Sequence, residues 1–383
     1  MIKIVTIIGA RPQIIKAAAL SRAIRNNFKE SIEEILVHTG QHYDQNMSEV
    51  FFEELNIPAP NYNLQVGSSS HASQTAAMLT GIENILLKER PQALLVYGDT
   101  NSTLAGALTA SKMRIPVIHV EAGLRSFNKN MPEEINRIAC DHVSTLLFSP
   151  SSKGVENLRK EGFTFNTAKE ISFDNPLVFH CGDVMYDNSL HFSSLADTRS
   201  TILSTLNLEP GKFILATIHR DNNTDRPERL NALFSAFQHI SSEFNIKVVL
   251  PLHPRTDKLL EHNLEKELFR KIKSNPNIIL TDPASFLDMI ALEKNCKMVM
   301  TDSGGVQKEA FFFKKPCVIL RSETEWVELV ENGNALLSDA NESLILEAFK
   351  HFNNSSALQF PPLYGDGNAG DFICTKILEV FKS

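Results

Sequence analysis

The chain has 383 residues, more than one ordinary hydrophobic core holds, so we expect two domains. Its composition is that of a globular protein, and its net charge of -7 argues against a general nucleic-acid binder. The five cysteines include no CxxC pair, and no apolar run reaches about 18 residues, so we predict no disulfide framework, no zinc site and no membrane span, as expected of a cytoplasmic protein.

Short apolar runs alternate with longer segments of helical period along the first half of the chain. This alternation is typical of βαβ units and a parallel sheet. In chain order, the predicted elements are the strand 2–8, the helix 13–24, the strands 33–39 and 92–98, the helix 102–113, and the strands 116–120, 144–150 and 177–184.

The second half repeats the scheme. Its predicted elements are the strand 212–219, the helix 229–240, and the strands 246–253, 277–282, 297–303 and 316–321. We therefore predict two doubly wound, Rossmann-like α/β domains, residues 1–183 and 184–364. An amphipathic C-terminal helix, residues 365–383, is expected to pack back on the first domain.

Most of the predicted strands end in a polar residue that is useful in chemistry. Ligands of open α/β sheets bind outside the carboxyl ends of the strands, so two lobes facing each other would place these groups in one cleft. The residues are Arg11, Gln41, His42, Asp99, Glu121, His219, Arg220, His253, Arg255, Asp302 and Ser303.

Two segments of the first half each allow two interpretations. In GARPQIIK, Arg11 and Lys16 are candidates for holding phosphates, but Pro12 also marks an ordinary helix start and Lys16 a solvated helix lysine. In GDTNST, Asp99 is either a candidate acid or base or simply a helix cap.

The segment HVEAGLRSFNKNMPEEINR contains several carboxylates. An ordinary helix start with acids in its first turn explains one of Glu133 and Glu134, but it does not explain Glu121 at the end of an apolar strand. Paired carboxylates in different environments are the usual means of moving protons at neutral pH. Glu121 is therefore a candidate catalytic residue.

Two motifs of the second half indicate an anion site. His219 and Arg220 follow an apolar run directly. In TDSGGVQKEA, a strand ends in a Gly-Gly turn that opens a helix, which points backbone N–H groups at an anion. HExxH, Walker and Ser-His-Asp patterns are absent from the sequence, and we predict no catalytic metal.

Eight segments in one order resemble the non-hydrolysing UDP-N-acetylglucosamine 2-epimerase family. They are GARPQIIK, HTGQH, YGDTNST, HVEAGLRS, MPEEINR, LPLHPRT, TDSGGVQKEA and YGDGNA, and the resemblance extends over nearly the whole chain. The resemblance implies a GT-B fold with a UDP-sugar in the cleft between two Rossmann-like domains. It also implies inversion at C2 of a 2-acetamido sugar by anti elimination and re-addition of UDP, without a cofactor or metal, in a cytoplasmic homodimer of bacterial surface-polysaccharide synthesis.

The resemblance assigns roles to individual residues. The essential acid–base positions are Asp99, Glu121, Glu133 and His219, and which of them takes the C2 proton stays open. The candidate substrate-binding residues are Arg11, Lys16, Arg137, Arg220, His253, Phe286, Ser303, Gly304, Gly305 and Glu309. The Gly-Gly turn is expected to receive the diphosphate, Glu309 the ribose hydroxyls, and backbone groups around Phe286 the uracil.

The chain also departs from the family pattern. Asn222 replaces a glutamate, Trp326 replaces an arginine that contacts UDP, and Lys308 stands where glutamate is common. The segments TEWVE, which contains Trp326, and QKEAFFF, which contains Lys308, together with SFNKNMPEEINR resemble a subgroup that acts on UDP-2,3-diacetamido-2,3-dideoxyglucuronate. Lys308 is a candidate partner for the 6-carboxylate of that sugar.

We favour UDP-N-acetylglucosamine as the substrate, with the diacetamidouronate close behind. A GT-B glycosyltransferase, a hydrolysing epimerase and a nucleotide-sugar sensor are the alternatives. Gln41 and His42 match part of the pattern for activation by a second substrate molecule, but Tyr43 and Asp44 differ from it.

Overall fold

The structure, a computed structural model, describes residues 1–41, 57–163, 171–252, 254–355 and 358–381. The chain divides into two compact units, a first unit of residues 1–188 with 362–383 and a second unit of residues 189–361. In these residues each unit contains one sheet, and all strand pairs of both sheets are parallel. Within the described part of the chain, every helix is too short or too polar to cross a membrane.

The first unit alternates strands and helices from its N-terminus. Its elements are β1 (Ile2–Ile8), α1 (Arg11–Ala23) with a π-helical extension (Ile24–Phe28), β2 (Ile32–His38), β3 (Tyr62–Asn63), α2 (His71–Glu89), β4 (Ala93–Tyr97), α3 (Asn101–Lys112), β5 (Val117–Val120), α4 (Pro132–His142), β6 (Leu146–Ser149), α5 (Ser152–Lys160) and β7 (Leu177–His180). The strand order is β3-β2-β1-β4-β5-β6-β7, so the chain reverses its direction across the sheet between β1 and β4.

Helix α6 (Val184–Arg199) leads from the first unit into the second. The further elements are α7 (Ile202–Thr205), β8 (Phe213–Thr217), α8 (Asp221–Thr224), α9 (Pro227–Phe244), β9 (Lys247–Pro251), α10 (Pro254–Asn263), α11 (Lys266–Ser274), β10 (Ile278–Thr281), α12 (Phe286–Asn295), β11 (Met298–Thr301), α13 (Gly304–Phe312), β12 (Cys317–Ile319), α14 (Val327–Glu331), β13 (Ala335–Leu337), α15 (Glu342–Asn354) and α16 (Ala369–Phe381). The strand order of the second sheet is β10-β9-β8-β11-β12-β13, with its reversal between β8 and β11.

The strands β4, β6, β8 and β11 are buried at every position. Parallel sheets are covered on both faces, and such strands therefore appear in the sequence as unbroken apolar runs. This burial is why the apolar runs of the sequence predicted the strands. It also disfavours unpaired charged groups inside the central strands, so that Asp99 and Glu121 lie just after the strands.

The C-terminal helix α16 packs against α1 within the first unit. The backbone of Gly370 approaches Ala19 so closely that a Cβ atom on this glycine would lie 3.1 Å from the Ala19 carbonyl oxygen. The carboxylate of Asp187 accepts hydrogen bonds from the N–H groups of Ala369 and Gly370, at 3.1 and 2.8 Å. Asp187 thereby satisfies two of the backbone donors that every helix N-terminus leaves unpaired.

We predict that the Asp187 carboxylate makes stability depend on pH. Burial raises the pKa of Asp187 from 3.8 to about 6, so the folded state binds this proton more tightly than the unfolded chain does. The protonated Asp187 side chain therefore stabilises the folded state. This contribution to the free energy of unfolding is complete below the pKa of Asp187 in the unfolded chain and is lost as the pH rises through its pKa in the folded state. The free energy of unfolding of the wild type, relative to Asp187→Asn, should fall by up to about 3 kcal/mol between pH 4 and pH 7.

Urea denaturation of both proteins at several pH values in this window measures the difference. Asp366→Asn is the matched control, because Asp366 is an exposed carboxylate of the same C-terminal segment that accepts a hydrogen bond from Asn368 N. A difference between wild type and Asp187→Asn that is constant with pH would contradict the assignment.

Candidate active site

The strand order places one potential ligand site in each unit. Ligands of open α/β sheets bind outside the carboxyl ends of the strands, where the strand order reverses. In the first unit these are the turns after β1 and β4, together with the turn after the neighbouring strand β5. In the second unit they are the turns after β8 and β11.

A buried glutamine joins the turns after β1 and β4. The Oε1 atom of Gln13 accepts hydrogen bonds from Gly9 N at 2.9 Å and Ala10 N at 3.2 Å. Its Nε2 atom donates to the Tyr97 carbonyl and to Thr103 Oγ1, both at 3.0 Å. Gln13 thus fixes the start of α1 against the start of α3. This residue was not predicted from the sequence, because a glutamine in the first turn of a helix carries no local signal of such a role.

Glu121 forms an ion pair with Lys16 at the carboxyl end of β5. The Lys16 Nζ atom lies 2.5 Å from Glu121 Oε2, and both side chains are mostly buried. The ammonium also lies over Gly98, where a Cβ atom would be 3.0 Å away from it. The backbone of Glu121 has a φ of 79°, in the left-handed region that side-chain-bearing residues seldom adopt. Such strain clusters at functional sites.

Asp99 forms the second ion pair of this edge. Arg137 Nη2 lies 2.6 Å from Asp99 Oδ2, and Arg137 Nη1 donates to Glu134 Oε2 at 2.8 Å. The Asn136 side chain donates to the Asp99 carbonyl at 2.9 Å. Helix α4 therefore presents an arginine and an asparagine that fix the backbone and the carboxylate of Asp99.

The neighbouring residues Glu133 and Glu134 have different environments. Glu134 is buried and accepts hydrogen bonds from Ser126 N and Phe127 N, both at 2.9 Å. Burial alone would raise its pKa, but these bonds and Arg137 lower it, so Glu134 is ionised and fixes the loop before α4. Glu133, which the sequence placed in the acid–base set, is exposed. Arg11, the first residue of α1, is exposed as well.

The turn after β8 is fixed by Asp302 in the second unit. The fully buried carboxylate of Asp302 accepts hydrogen bonds from His219 N at 3.0 Å, Arg220 N at 3.1 Å and Asn223 Nδ2 at 3.0 Å. Arg220 Nε donates in turn to the Asp302 carbonyl at 3.1 Å. Asp302 is therefore a structural acceptor, and it leaves the side chains of His219 and Arg220 exposed.

Helix α13 begins directly after β11, with Ser303 as its N-cap and Gly304 and Gly305 as its first residues. A helix N-terminus attracts anions, because its first N–H groups are unpaired within the helix and the helix dipole is positive there. The first glycine is crowded, since a Cβ atom on Gly304 would lie 2.2 Å from Glu325 Oε1. At Gly305 the same atom would approach only Ser303 Oγ, at 3.9 Å.

The segment that follows β12 covers the first turns of α13. Thr324 Oγ1 donates to Gln307 Oε1 at 2.6 Å. The Lys308 ammonium lies 4.1 Å from the centroid of the Trp326 ring, and both side chains are buried. Two of the three departures from the family pattern, Lys308 and Trp326, are therefore in direct cation–π contact.

Glu309 and Phe286 lie farther from the N-terminus of α13. Glu309 is partly exposed, and its carboxylate is hydrogen-bonded to the buried Glu293 of α12. Phe286 starts α12 and packs edge-on against Phe192, with 5.1 Å between the ring centroids.

The structure thus brings together two sets of predicted residues, each within its own unit. The first unit has Lys16, Glu121, Asp99 and Arg137, and the second has His219, Arg220, Ser303, Gly304 and Gly305. His42 and His253 lie outside the described residues. Among the described residues, no group of three or more histidine, cysteine, aspartate or glutamate side chains is arranged to hold a metal ion.

The chain is similar to proteins of known activity over almost its whole length. A family model described as UDP-N-acetylglucosamine 2-epimerase matches residues 24–378. A UDP-N-acetylglucosamine 2-epimerase homolog of Methanococcus maripaludis is 50% identical over 100% of this chain and 99% of its own. A UDP-2,3-diacetamido-2,3-dideoxy-D-glucuronate 2-epimerase of Pseudomonas aeruginosa is 47% identical, over 97% of this chain and 98% of its own.

A solved structure shares the fold. The UDP-GlcNAc 2-epimerase of Methanocaldococcus jannaschii, in complex with UDP-GlcNAc and UDP, matches with a TM-score of 0.83 and 40% identity, over 99% of this chain and 100% of its own. This similarity and the two parallel sheets confirm the predicted fold class, α/β with two Rossmann-like domains of the GT-B type.

We predict that alanine has opposite effects at the two glycines of α13. At Gly304, a methyl group would displace the Glu325 carboxylate, which pairs with Arg321 at 2.9 Å, and should lower the free energy of unfolding by about 1 kcal/mol. At Gly305 there is room for the methyl group, and the better helix propensity should raise this free energy by up to about 1 kcal/mol. Urea denaturation of Gly304→Ala and Gly305→Ala measures both, and equal effects would contradict the described packing.

Proposed function

Because the chain belongs to the UDP-N-acetylglucosamine 2-epimerase family, we propose that it inverts C2 of a UDP-2-acetamido sugar by eliminating and re-adding UDP. The first substrate that we propose is UDP-N-acetylglucosamine, which would yield UDP-N-acetylmannosamine. The family is that of UDP-sugar 2-epimerases, and the protein is an isomerase of that class.

One observation carries the proposal. Asp99 and Glu121 follow the adjacent strands β4 and β5, and each carboxylate is paired with a cation. The reaction needs groups that move protons at C2, and paired carboxylates with different neighbours are suited to this task. Glu121 contacts a lysine and has a strained backbone, whereas Asp99 contacts an arginine.

The proposed inversion at C2 requires two proton transfers and the departure of UDP as the leaving group. A base removes the proton from C2, the electron pair forms a C1–C2 double bond, and the C1–O bond to UDP breaks. An acid then returns a proton to the opposite face of C2, and a phosphate oxygen of UDP attacks C1. Two groups are therefore needed at C2, together with stabilisation of the negative charge on the departing diphosphate.

The second unit contributes groups that suit a diphosphate. The first turn of α13 offers the backbone N–H groups of Gly304 and Gly305, and Gly305 has open space where a side chain would stand. Glu309, farther along the same helix, is partly exposed and is proposed to accept the ribose hydroxyls. We propose His219 and Arg220, exposed in the turn after β8, as further substrate contacts.

A uronate is the second candidate substrate. The buried Lys308 ammonium is placed by the Trp326 ring, whose Nε1 atom lies 3.5 Å from the position that a Cβ atom on Gly304 would take. A cation so close to the anion-binding turn supports recognition of a substrate with an additional carboxylate. The 47% identical Pseudomonas aeruginosa relative acts, by its name, on such a sugar.

We also propose that the protein is a cytoplasmic homodimer. All five cysteines are free thiols, and four of them are buried, which fits a reducing compartment. Sedimentation of the purified protein would measure its oligomeric state.

We predict that the protein converts UDP-N-acetylglucosamine in D2O with deuterium entering at C2. Proton NMR should show growth of UDP-N-acetylmannosamine without free sugar. Glu121→Gln should lower the turnover rate by at least about 100-fold, because the amide cannot exchange a proton. The exposed helix residue Glu83 provides the matched control, and Glu83→Gln should have wild-type activity.

Other outcomes of the same experiment support the alternatives. Release of free sugar would identify a hydrolysing epimerase. Transfer to an acceptor that survives Glu121→Gln would favour a glycosyltransferase. Binding of the UDP-sugars without turnover of either candidate substrate would favour a sensor and would refute the proposal.

We predict that Lys308→Met separates the two candidate substrates. Loss of the ammonium should lower kcat/KM for the diacetamidouronate nucleotide by about 10-fold or more, because the carboxylate loses its charged partner. The kcat/KM for UDP-N-acetylglucosamine should change by less than about 3-fold. Lys258→Met, at an exposed helix position of the same unit, is the control. Equal losses with both nucleotides would exclude Lys308 as the reader of the carboxylate.

A further inference from the structure

A fully buried histidine lies inside β5, two residues before Glu121. The Nδ1 atom of His119 is 2.7 Å from Asp141 Oδ1, and its Nε2 atom is 2.8 Å from the Gly98 carbonyl oxygen. A carboxylate and a carbonyl only accept hydrogen bonds, so both ring nitrogens donate. The side chain is therefore an imidazolium ion.

A buried imidazolium needs compensation by its neighbours. Burial alone lowers the pKa of His119, but Cys140 and Asp141, both from α4, more than offset it, so that the pKa lies well above its usual value. Asp141 Oδ2 is also 2.8 Å from the guanidinium of Arg125, which pairs in turn with Glu161 at 2.6 Å. The network contains two cations and two carboxylates, so its formal charge is zero.

The network contacts the backbone on both sides of the candidate acid–base groups. The Gly98 carbonyl, which accepts from His119, belongs to the peptide that leads into Asp99. The other end reaches the turn of Glu121, because Asp141 Oδ2 accepts a hydrogen bond from Gly123 N at 3.1 Å. Both turns contain residues with a left-handed backbone conformation, because φ is 64° at Gly98, 79° at Glu121 and 81° at Gly123. Such turns need outside support to stay in one conformation.

We propose that His119 is a positioning residue, which fixes the turn of Asp99 directly through the Gly98 carbonyl and the turn of Glu121 through Asp141. It does not touch the substrate; it sets the place of the two carboxylates that do. The part that concerns catalysis rests on the proposed function. The part that concerns the two turns rests on the described contacts alone.

Two variants distinguish the two hydrogen bonds that the imidazolium donates. His119→Asn places its amide nitrogen near the position of Nδ1, so it keeps the bond to Asp141 and leaves the Gly98 carbonyl unpaired. His119→Gln places its amide nitrogen near the position of Nε2, so it keeps the bond to Gly98. Both variants remove the same positive charge, and each is thus the matched control for the other.

The expected result is a difference between the two variants in kcat. His119→Asn should lower kcat for C2 exchange by about 10-fold or more with KM changed by less than about 3-fold, because misplacement of Asp99 affects the transition state. His119→Gln should restore kcat to within about 3-fold of the wild type. Equal losses in both variants would overturn the proposal, because a merely structural histidine does not distinguish them.

A double-mutant cycle tests whether His119 acts through Asp99. In an Asp99→Asn background, His119→Asn should lower the residual rate by less than about 2-fold. The reason is that residue 99 has already lost its acid–base function, so its displacement has no further effect on the rate. Full additivity of the two losses would contradict positioning and indicate a general effect of destabilisation.

Amide hydrogen exchange gives a readout that does not need turnover. In His119→Asn, exchange in residues 98–101 should be faster by about 10-fold or more than in the wild type and in His119→Gln, while exchange in β8 of the second unit should be unchanged. If the wild type converts neither candidate substrate, the proposed function fails, and the exchange still decides whether His119 fixes the turn. Unchanged exchange in residues 98–101 would overturn the inference.

Discussion

Strands that are covered on both faces admit a charged group in their interior only where a buried partner compensates it, as Asp141 does for His119 in β5, and other charged groups lie where the strands end. Every residue of β4 and β6 is buried, and an unpaired carboxylate inside such a strand would lose several kcal/mol of hydration. The carboxylates therefore follow the strands, as Asp99 follows β4 and Glu121 follows β5. Because all strands of a unit are parallel, these ends lie at one edge of the sheet, and the chemistry is concentrated there.

The turns at this edge are fixed by single buried side chains that collect backbone groups. Gln13 accepts from two N–H groups of the first turn, and Asp302 accepts from two N–H groups after β8. One such hydrogen bond contributes only about 1 kcal/mol, but a buried donor without a partner costs up to about 3 kcal/mol. The turns are therefore restrained by the cost of breaking these bonds, which keeps the candidate catalytic groups in one arrangement.

The local sequence was sufficient to predict the helices and strands, but not the buried side chains that fix the turns. The strand predicted at 212–219 contains β8, and the helix predicted at 102–113 contains almost all of α3, because apolar runs and helical period are local properties. The polar residues directly after the strands were found for the same reason. Gln13 and His119 were missed, because their partners lie up to 90 residues away in the chain.

The neighbouring glutamates of α4 mark the same limit. Sequence patterns give Glu133 and Glu134 equal standing as acids in the first turn of a helix. The fold turns one to solvent and buries the other against two backbone N–H groups, because successive helix residues point about 100° apart. Whether a carboxylate supports a loop or faces solvent is thus a property of the assembled unit.

The two units contain buried carboxyl groups in opposite protonation states. Burial raises the pKa of any carboxyl group, but His119 and Arg125 lower that of Asp141 by more, and it is ionised. Burial and the like charge of Glu309 raise the pKa of Glu293 well above its usual value, and Glu293 is therefore protonated. A protonated Glu293 donates a hydrogen bond to the Glu309 carboxylate. The two buried acids thus fix their neighbours in opposite ways, because the protonated Glu293 donates a hydrogen bond, whereas the ionised Asp141 accepts hydrogen bonds from His119 and Gly123.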